Sequence, residues 1–148
     1  PYAPMTRAML VTVLYRLEGQ PVVYGRSGFA DVTMGSYYEN AVTWAANNGI
    51  VDGTSATTFN PNANVTREQM AAILYRYAQH KRYSTAASSA LSGFADAAAV
   101  ADYAKTAMQW AVGAGLLNGA AGRLLPKGNA KRAEVAAILH RFAMSFAK

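Results

Sequence analysis

Apolar positions along the chain fall into a helical rhythm that is written three times. Counted from Arg7, Arg67 and Arg132, the positions three, six, seven and ten downstream are apolar in every copy: Leu10, Val13, Leu14 and Leu17; Met70, Ile73, Leu74 and Tyr77; Val135, Ile138, Leu139 and Phe142. This spacing makes one face of an α-helix and predicts three long helices that pack on a core through that face. Small residues four positions downstream, Ala71 and Ala136, leave room for another backbone to approach. The same arginines bring Pro1, Pro61 and Pro126 into register upstream and Arg16, Arg76 and Arg141 downstream, with a spacing of 60 and then 65 residues. A pattern that recurs at such a period is read as a structural unit.

The polar residues at the helix starts sharpen this reading. Thr66 followed by Gln69 forms a capping box, in which the hydroxyl satisfies an amide of the first turn and the glutamine reaches back. Thr6 can cap its helix in the same way, although Met9 cannot reciprocate. Lys131 cannot cap, and Asn129 is the nearest candidate, so the third helix is expected to have the least well fixed start.

Between the anchors a second block appears twice. Phe29-Ala30-Asp31, Tyr37, Ala41-Val42, Trp44-Ala45, Gly49-Ile50-Val51 and Gly53 correspond to Phe94-Ala95-Asp96, Tyr103, Ala107-Met108, Trp110-Ala111, Gly115-Leu116-Leu117 and Gly119. It predicts short helices over 37–48 and 103–114, each turning an aromatic, its alanines and a tryptophan to one side. Gly49 and Gly115 serve as C-terminal stops, because glycine accepts a positive φ without a Cβ penalty. Trp44 and Trp110 sit inside apolar helices and are expected to be core anchors. Asp31 and Asp96, in Phe-x-Asp turns, are expected to bond backbone amides. The chain thus divides into 1–20, the second half of a first repeat; 29–80, a second repeat; 81–93, an Ala/Ser-rich flexible linker; and 94–148, a third repeat. No strand is evident, and the fold class is all-α.

The order Phe29-Ala30-Asp31-Val32, Trp44, Gly49-Ile50, Phe59-Asn60-Pro61 and Thr66-Arg67-Glu68-Gln69 resembles the S-layer homology (SLH) family. The resemblance covers nearly the whole chain. The copies depart from a Thr-Arg-Ala-Glu motif, reading Thr6-Arg7-Ala8-Met9, Thr66-Arg67-Glu68-Gln69 and Lys131-Arg132-Ala133-Glu134. The resemblance implies three helical repeats around a pseudo-threefold axis, binding grooves between neighbouring repeats, and noncovalent anchoring to a secondary cell-wall polysaccharide, often pyruvylated. By the same resemblance Arg67 and Arg132 are the leading ligand residues, Thr66, Lys131 and Glu134 follow, and Asp31, Asp96, Gly53 and Gly119 form supporting turns. Arg7 and Thr6 are their counterparts in the first repeat.

Composition narrows the chemistry further. The chain has 148 residues, 14 Lys and Arg against 8 Asp and Glu, a net charge of +6 and no cysteine. That length buries a core without staples, and the absence of cysteine removes disulfides and thiolate metal sites. A basic surface favours a polyanion. No run approaches the roughly 20 apolar residues of a membrane span. The apolar run from Leu10 to Tyr15 is bracketed by Arg7 and Arg16, so a signal peptide is expected upstream of this sequence if there is one.

Catalytic chemistry finds no support in the spacing of residues. Most of the eight carboxylates recur with the repeat and form no acid/base pair, and His80 and His140 lack partners at metal-ligand spacing. No enzyme, cofactor or metal is expected. Arg7, Arg67 and Arg132 differ from the rest in falling just inside helix N-termini, where unpaired amides and the helix dipole favour an anion and the guanidinium fork matches a carboxylate. The leading reading is an extracellular module at a bacterial wall or S-layer that holds an acidic, including a pyruvylated, wall polysaccharide. The alternatives are a self-assembly module of a surface array and a nucleic-acid binder. Against the last, Arg16, Arg76 and Arg141 make no single reading stripe. Three long helices with only two short ones leave one long helix uncovered, which points to a homo-oligomer or an exchanged helix.

Overall fold

The computed structural model describes residues 3–119 and 121–146, and the register position of Pro1 lies outside them. The described residues form five α-helices: α1 (Arg7–Leu17), α2 (Glu39–Asn47), α3 (Arg67–His80), α4 (Lys105–Gly113) and α5 (Arg132–Phe146). Single 3-10 turns at Ala97–Ala99 and Asp102–Ala104 lead into α4. Among the described residues there is no strand, only isolated bridges that pair Pro4 with Lys131, Thr6 with Asn64 and Thr66 with Asn129. The fold is all-α.

Two compact units make up the chain, Met5–Val65 and the pairing of Pro1–Pro4 with Thr66–Lys148. In the first, α1 packs on α2; in the second, α3 packs on α4. The boundary falls between Val65 and Thr66, inside the repeat read over 29–80. Each unit therefore joins a long helix to the short helix that follows it in sequence. Thr6 and Thr66 cap α1 and α3 through their hydroxyls, which accept from Met9 N (3.1 Å) and Gln69 N (3.2 Å). Gln69 Oε1 accepts from Thr66 N at 3.0 Å and completes the capping box. At α5 the cap comes from inside the helix, since Glu134 Oε1 accepts from Lys131 N at 3.3 Å. Asn129 instead lies in the backbone bridge to Thr66.

The tryptophans are core anchors. Trp44 is buried and lies 5.6 Å from Tyr15, while Trp110 is buried beside Tyr75 at 5.5 Å and Phe142 at 6.4 Å. Gly49 and Gly115 follow the last turns of α2 and α4 with φ of 71° and 76°. Phe142, Val135 and Ile138 form the buried face of α5, whereas Ala136, Ala137 and Met144 are exposed and Leu139 is half-buried.

Three expectations from the pattern are corrected. Leu17, placed on the buried face of the first helix, is 60% exposed, because α1 ends there and has no further turn to hold it against α2. Tyr37 and Tyr103 are exposed, since both precede the helices they were assigned to; Tyr38 and Ala104 take the buried places. The 81–93 segment is no loose linker. It alternates half-buried and exposed residues along its length, Ser89 N donates to Gln109 O at 3.0 Å, and Leu91 is buried. Gly113 makes this possible, because a Cβ there would stand 2.6 Å from the Ser88 backbone.

Candidate ligand-binding site

The Phe-x-Asp turns act as clamps. Asp31 accepts from Phe59 N and Asn60 N, each at 2.8 Å, and Asp96 accepts from Leu124 N and Leu125 N, each at 2.8 Å. Each carboxylate thus grips two successive amides 28 and 29 residues further on. The Leu124 amide above all, with that of Leu125, holds the Asp96 carboxyl below its ordinary 3.8 against an opposing effect of desolvation. The bond to backbone was expected; its long range was not. Gly53 and Gly119 complete the clamps. A Cβ on Gly53 would lie 2.5 Å from the Phe29 ring, and one on Gly119 would lie 2.8 Å from the Phe94 ring.

The first-turn amides, expected to be open to an anion, are occupied. Arg7 N donates to Ala63 O (2.9 Å) and Ala8 N to Pro61 O (2.9 Å); Arg67 N donates to Gly128 O (2.9 Å) and Glu68 N to Pro126 O (3.0 Å). Arg132 N donates to Ala3 O at 2.9 Å. Loop carbonyls have taken the groups that make a helix N-terminus an anion site. At α1 and α3 an anion must therefore be met by side chains.

Those side chains differ from copy to copy. Arg7 is 5% exposed, its Nε donates to Phe59 O at 2.9 Å, and its guanidinium carbon lies 4.7 Å from the centre of the Phe59 ring. Arg132 is exposed. Arg67 stands between these extremes: Nε donates to Glu134 Oε2 at 2.8 Å, with side-chain exposures of 14% and 27%. Gly128 gives it room, since a Cβ there would lie 2.6 Å from Arg67 Nη1. The loop carrying Gly128 is fixed by Lys127 Nζ, which donates to the buried Glu68 Oε2 at 2.8 Å, while Glu68 Oε1 accepts from Ala101 N at 3.2 Å.

Arg67 and Glu134 line a cavity of about 260 Å³ together with Asn118, Gly119, Leu125 and Arg141. This is just under the size range of pockets for drug-sized ligands, and suits one sugar ring. Two guanidinium groups face one carboxylate, so the cavity is net positive. Of the residues singled out in the sequence, the structure gathers Arg67, Glu134 and Gly119 here. It leaves Thr6 and Thr66 as caps, Asp31, Asp96 and Gly53 as clamp parts, Arg7 in the core, and Lys131 and Arg132 exposed at the start of α5.

Arg141, not singled out in the sequence, also lines this cavity. Its Nη1 donates to Leu116 O at 3.1 Å, which holds it at the cavity. The signal was present: Glu134 and Arg141 are seven residues apart and share a helix face.

The chain is a cysteine-free, all-α repeat with a cavity lined by two arginines and a glutamate. Among the described residues no three His, Asp or Glu side chains gather where a metal could be held, and no helix is long and apolar enough to cross a membrane. The chain belongs to the S-layer homology domain family, which it matches over residues 28–71 and 93–136. It is similar to an amylopullulanase of Thermoanaerobacterium thermosulfurigenes (33% identity, 95% of this chain, 8% of that protein). Exoglucanase XynX of Acetivibrio thermocellus (33%, 95% and 13%) and the surface-layer 125 kDa protein of Lysinibacillus sphaericus (33%, 80% and 10%) share the same region. The chain spans at most 13% of the length of these three relatives. Membership makes it an extracellular surface-anchoring module of a bacterial cell wall or S-layer.

Proposed function

We propose that this module anchors its parent protein noncovalently by binding an acidic secondary cell-wall polysaccharide, with one anionic sugar seated in the cavity of Arg67, Glu134 and Arg141. The observation that carries the reading is the excess of guanidinium over carboxylate in a cavity of single-sugar size. Arg67 is already paired with Glu134, so an incoming carboxylate, such as that of a pyruvate ketal, competes for the guanidinium fork and takes Arg141 as its second partner. Glu134 then has an oxygen to accept from a sugar hydroxyl. The module binds its ligand and performs no reaction on it.

Calorimetry with purified wall polysaccharide, before and after chemical removal of its carboxylates, tests this. Arg67→Ala and Arg141→Ala should each weaken binding by ~1.5 to 3 kcal/mol, the loss of a charge-assisted hydrogen bond. Arg67→Lys should recover only part of the loss, because the ammonium keeps the charge but not the fork. Arg16→Ala, an equal change of charge at the repeat position matching Arg141, is the control. Equal losses for all three alanine variants, or equal affinity for the stripped polymer, would leave only diffuse attraction and overturn the specific site.

A further inference from the structure

Asn-Gly occurs twice in the chain, at Asn48-Gly49 and Asn118-Gly119. In this dipeptide an asparagine side chain is most open to attack by the backbone that follows it, because glycine has no Cβ to hinder the approach of its amide nitrogen. At Asn48 the structure blocks that attack. The pair closes α2, Gly49 N donates to Ala46 O at 3.2 Å, and Asn48 Nδ2 donates to Trp44 O at 2.8 Å, so nucleophile and leaving group are both held. At Asn118 neither is held. Both residues are exposed and lie beyond α4 outside any helix or turn, and among the described residues nothing accepts from Gly119 N or from the Asn118 side chain. Asn118 also lines the cavity of Arg67 and Arg141. Guanidinium groups beside it favour the oxyanion that forms as its Cγ is attacked.

We infer that Asn118 is a site of spontaneous deamidation, and that the carboxylate it produces weakens anion binding in the cavity of Arg67. Gly119 N gives up its proton and bonds to Asn118 Cγ, the Cγ–Nδ2 bond breaks, and ammonia leaves with that proton. The cyclic imide so formed takes up water at one of its carbonyls and opens to aspartate or isoaspartate. Water enters, ammonia departs, and no electrons are exchanged. The fold accepts an aspartate here, since the counterpart of Asn118-Gly119 is Asp52-Gly53, whose glycine completes the other clamp. What changes is the charge: two guanidinium groups facing Glu134 come to face two carboxylates, and the positive excess is gone. The isoaspartate product also adds a methylene to the main chain directly before Gly119, where a Cβ would already lie 2.8 Å from Arg123 O. The modification stands on the geometry of the dipeptide; its effect on binding rests on the acidic-sugar reading.

Ageing the full chain at mildly alkaline pH, with peptide mapping by mass spectrometry and calorimetry against purified wall polysaccharide, tests both parts. Asn118 should convert to aspartate and isoaspartate about tenfold or more faster than Asn48, whose reaction must first open the bonds to Ala46 O and Trp44 O. Denaturant, which frees both dipeptides, should bring the two rates together. Asn118→Gln should stay unconverted over the same period, because glutamine would have to close a larger ring, and its affinity should not change with age. Aged unaltered protein should lose affinity in step with the fraction converted, and fresh Asn118→Asp should bind about tenfold more weakly than fresh unaltered protein. Conversion of Asn118 no faster than that of Asn48 in the folded chain overturns the site. Full conversion with undiminished affinity overturns its link to the cavity. Fresh protein that binds no better than fresh Arg67→Ala would sink the acidic-sugar reading and the effect on affinity with it, while the masses still decide the modification.

Discussion

Arg7 and Arg67 occupy the same place in the repeat, one residue after a capping threonine, yet one is buried in the core and the other lines a cavity. The two differ in at least two repeat positions: Phe59 against Leu124 in the following loop, and Gln69 against Glu134 in the next long helix. Beside Arg7 stands Phe59, whose carbonyl takes Nε and whose ring lies under the guanidinium. The counterpart of Phe59 is Leu124, which offers no aromatic face, and Arg67 turns to Glu134 at the edge of a cavity instead. A repeated arginine is thus retained in the core where an aromatic loop residue lies under it, and reaches a cavity where that residue is aliphatic and a carboxylate stands across from it.

The comparison can be broken by experiment, beginning with the elements common to both units. Trp44→Ala and Trp110→Ala should each cost ~3 to 5 kcal/mol in denaturant unfolding, because both rings anchor a short helix to a long one. A loss confined to one of them would deny the units a shared design. Arg7→Ala should cost ~2 to 3 kcal/mol, since Phe59 O is left without its charged donor, and should leave polysaccharide affinity unchanged. Arg67→Ala should do the opposite, with affinity reduced and the unfolding midpoint nearly kept. If Arg7→Ala abolished binding in a folded protein, the division into core and site arginines would be wrong.

Smaller effects sharpen the contrast. Thr66→Ala should destabilise by ~1 kcal/mol through loss of the cap, with binding intact. Leu125 has a φ of 52°, a left-handed conformation that a leucine adopts only under constraint, and its counterpart Asn60 has a φ of 56°. Leu125→Asn should therefore raise stability by up to ~1 kcal/mol in thermal melts. The pH dependence should be the slightest effect. Because the folded-state pKa of Asp96 is depressed, its contribution is present above its ordinary value of 3.8 and is lost as pH falls through the lower folded value. Asp96→Asn should accordingly flatten the acid limb of the stability curve below that pH.

The helices, their caps, the glycine stops and the buried tryptophans were legible because each depends on residues within a few positions of one another. Arg67, Glu134 and Gly119, singled out through the family resemblance, line one cavity. The occupied amides were not legible, since the carbonyls that fill them come from residues 61–63 and 126–128, which local pattern does not connect to α1 and α3. Arg141 escaped notice for a different reason: its alignment with Arg16 and Arg76 drew attention from its local place, seven residues from Glu134 on the same helix face. The identity of the residues flanking Arg7 was plain in the sequence, but only contact in space turned Phe59 into its retaining partner.

The aspartate clamps bear on mechanics. An anchoring module is pulled between the wall and the protein it holds, and the bond from Asp96 to Leu124 closes a loop of 28 residues. Fully drawn out, that length of chain is about 95 Å. While the clamp is shut, tension crosses between the two ends of the loop and bypasses α4 within it. Single-molecule stretching should release the loop in one step of about that length, and Asp96→Asn should lower the force at which it gives way. A tether built from such closed loops keeps its length under load up to a threshold, then yields by a fixed increment.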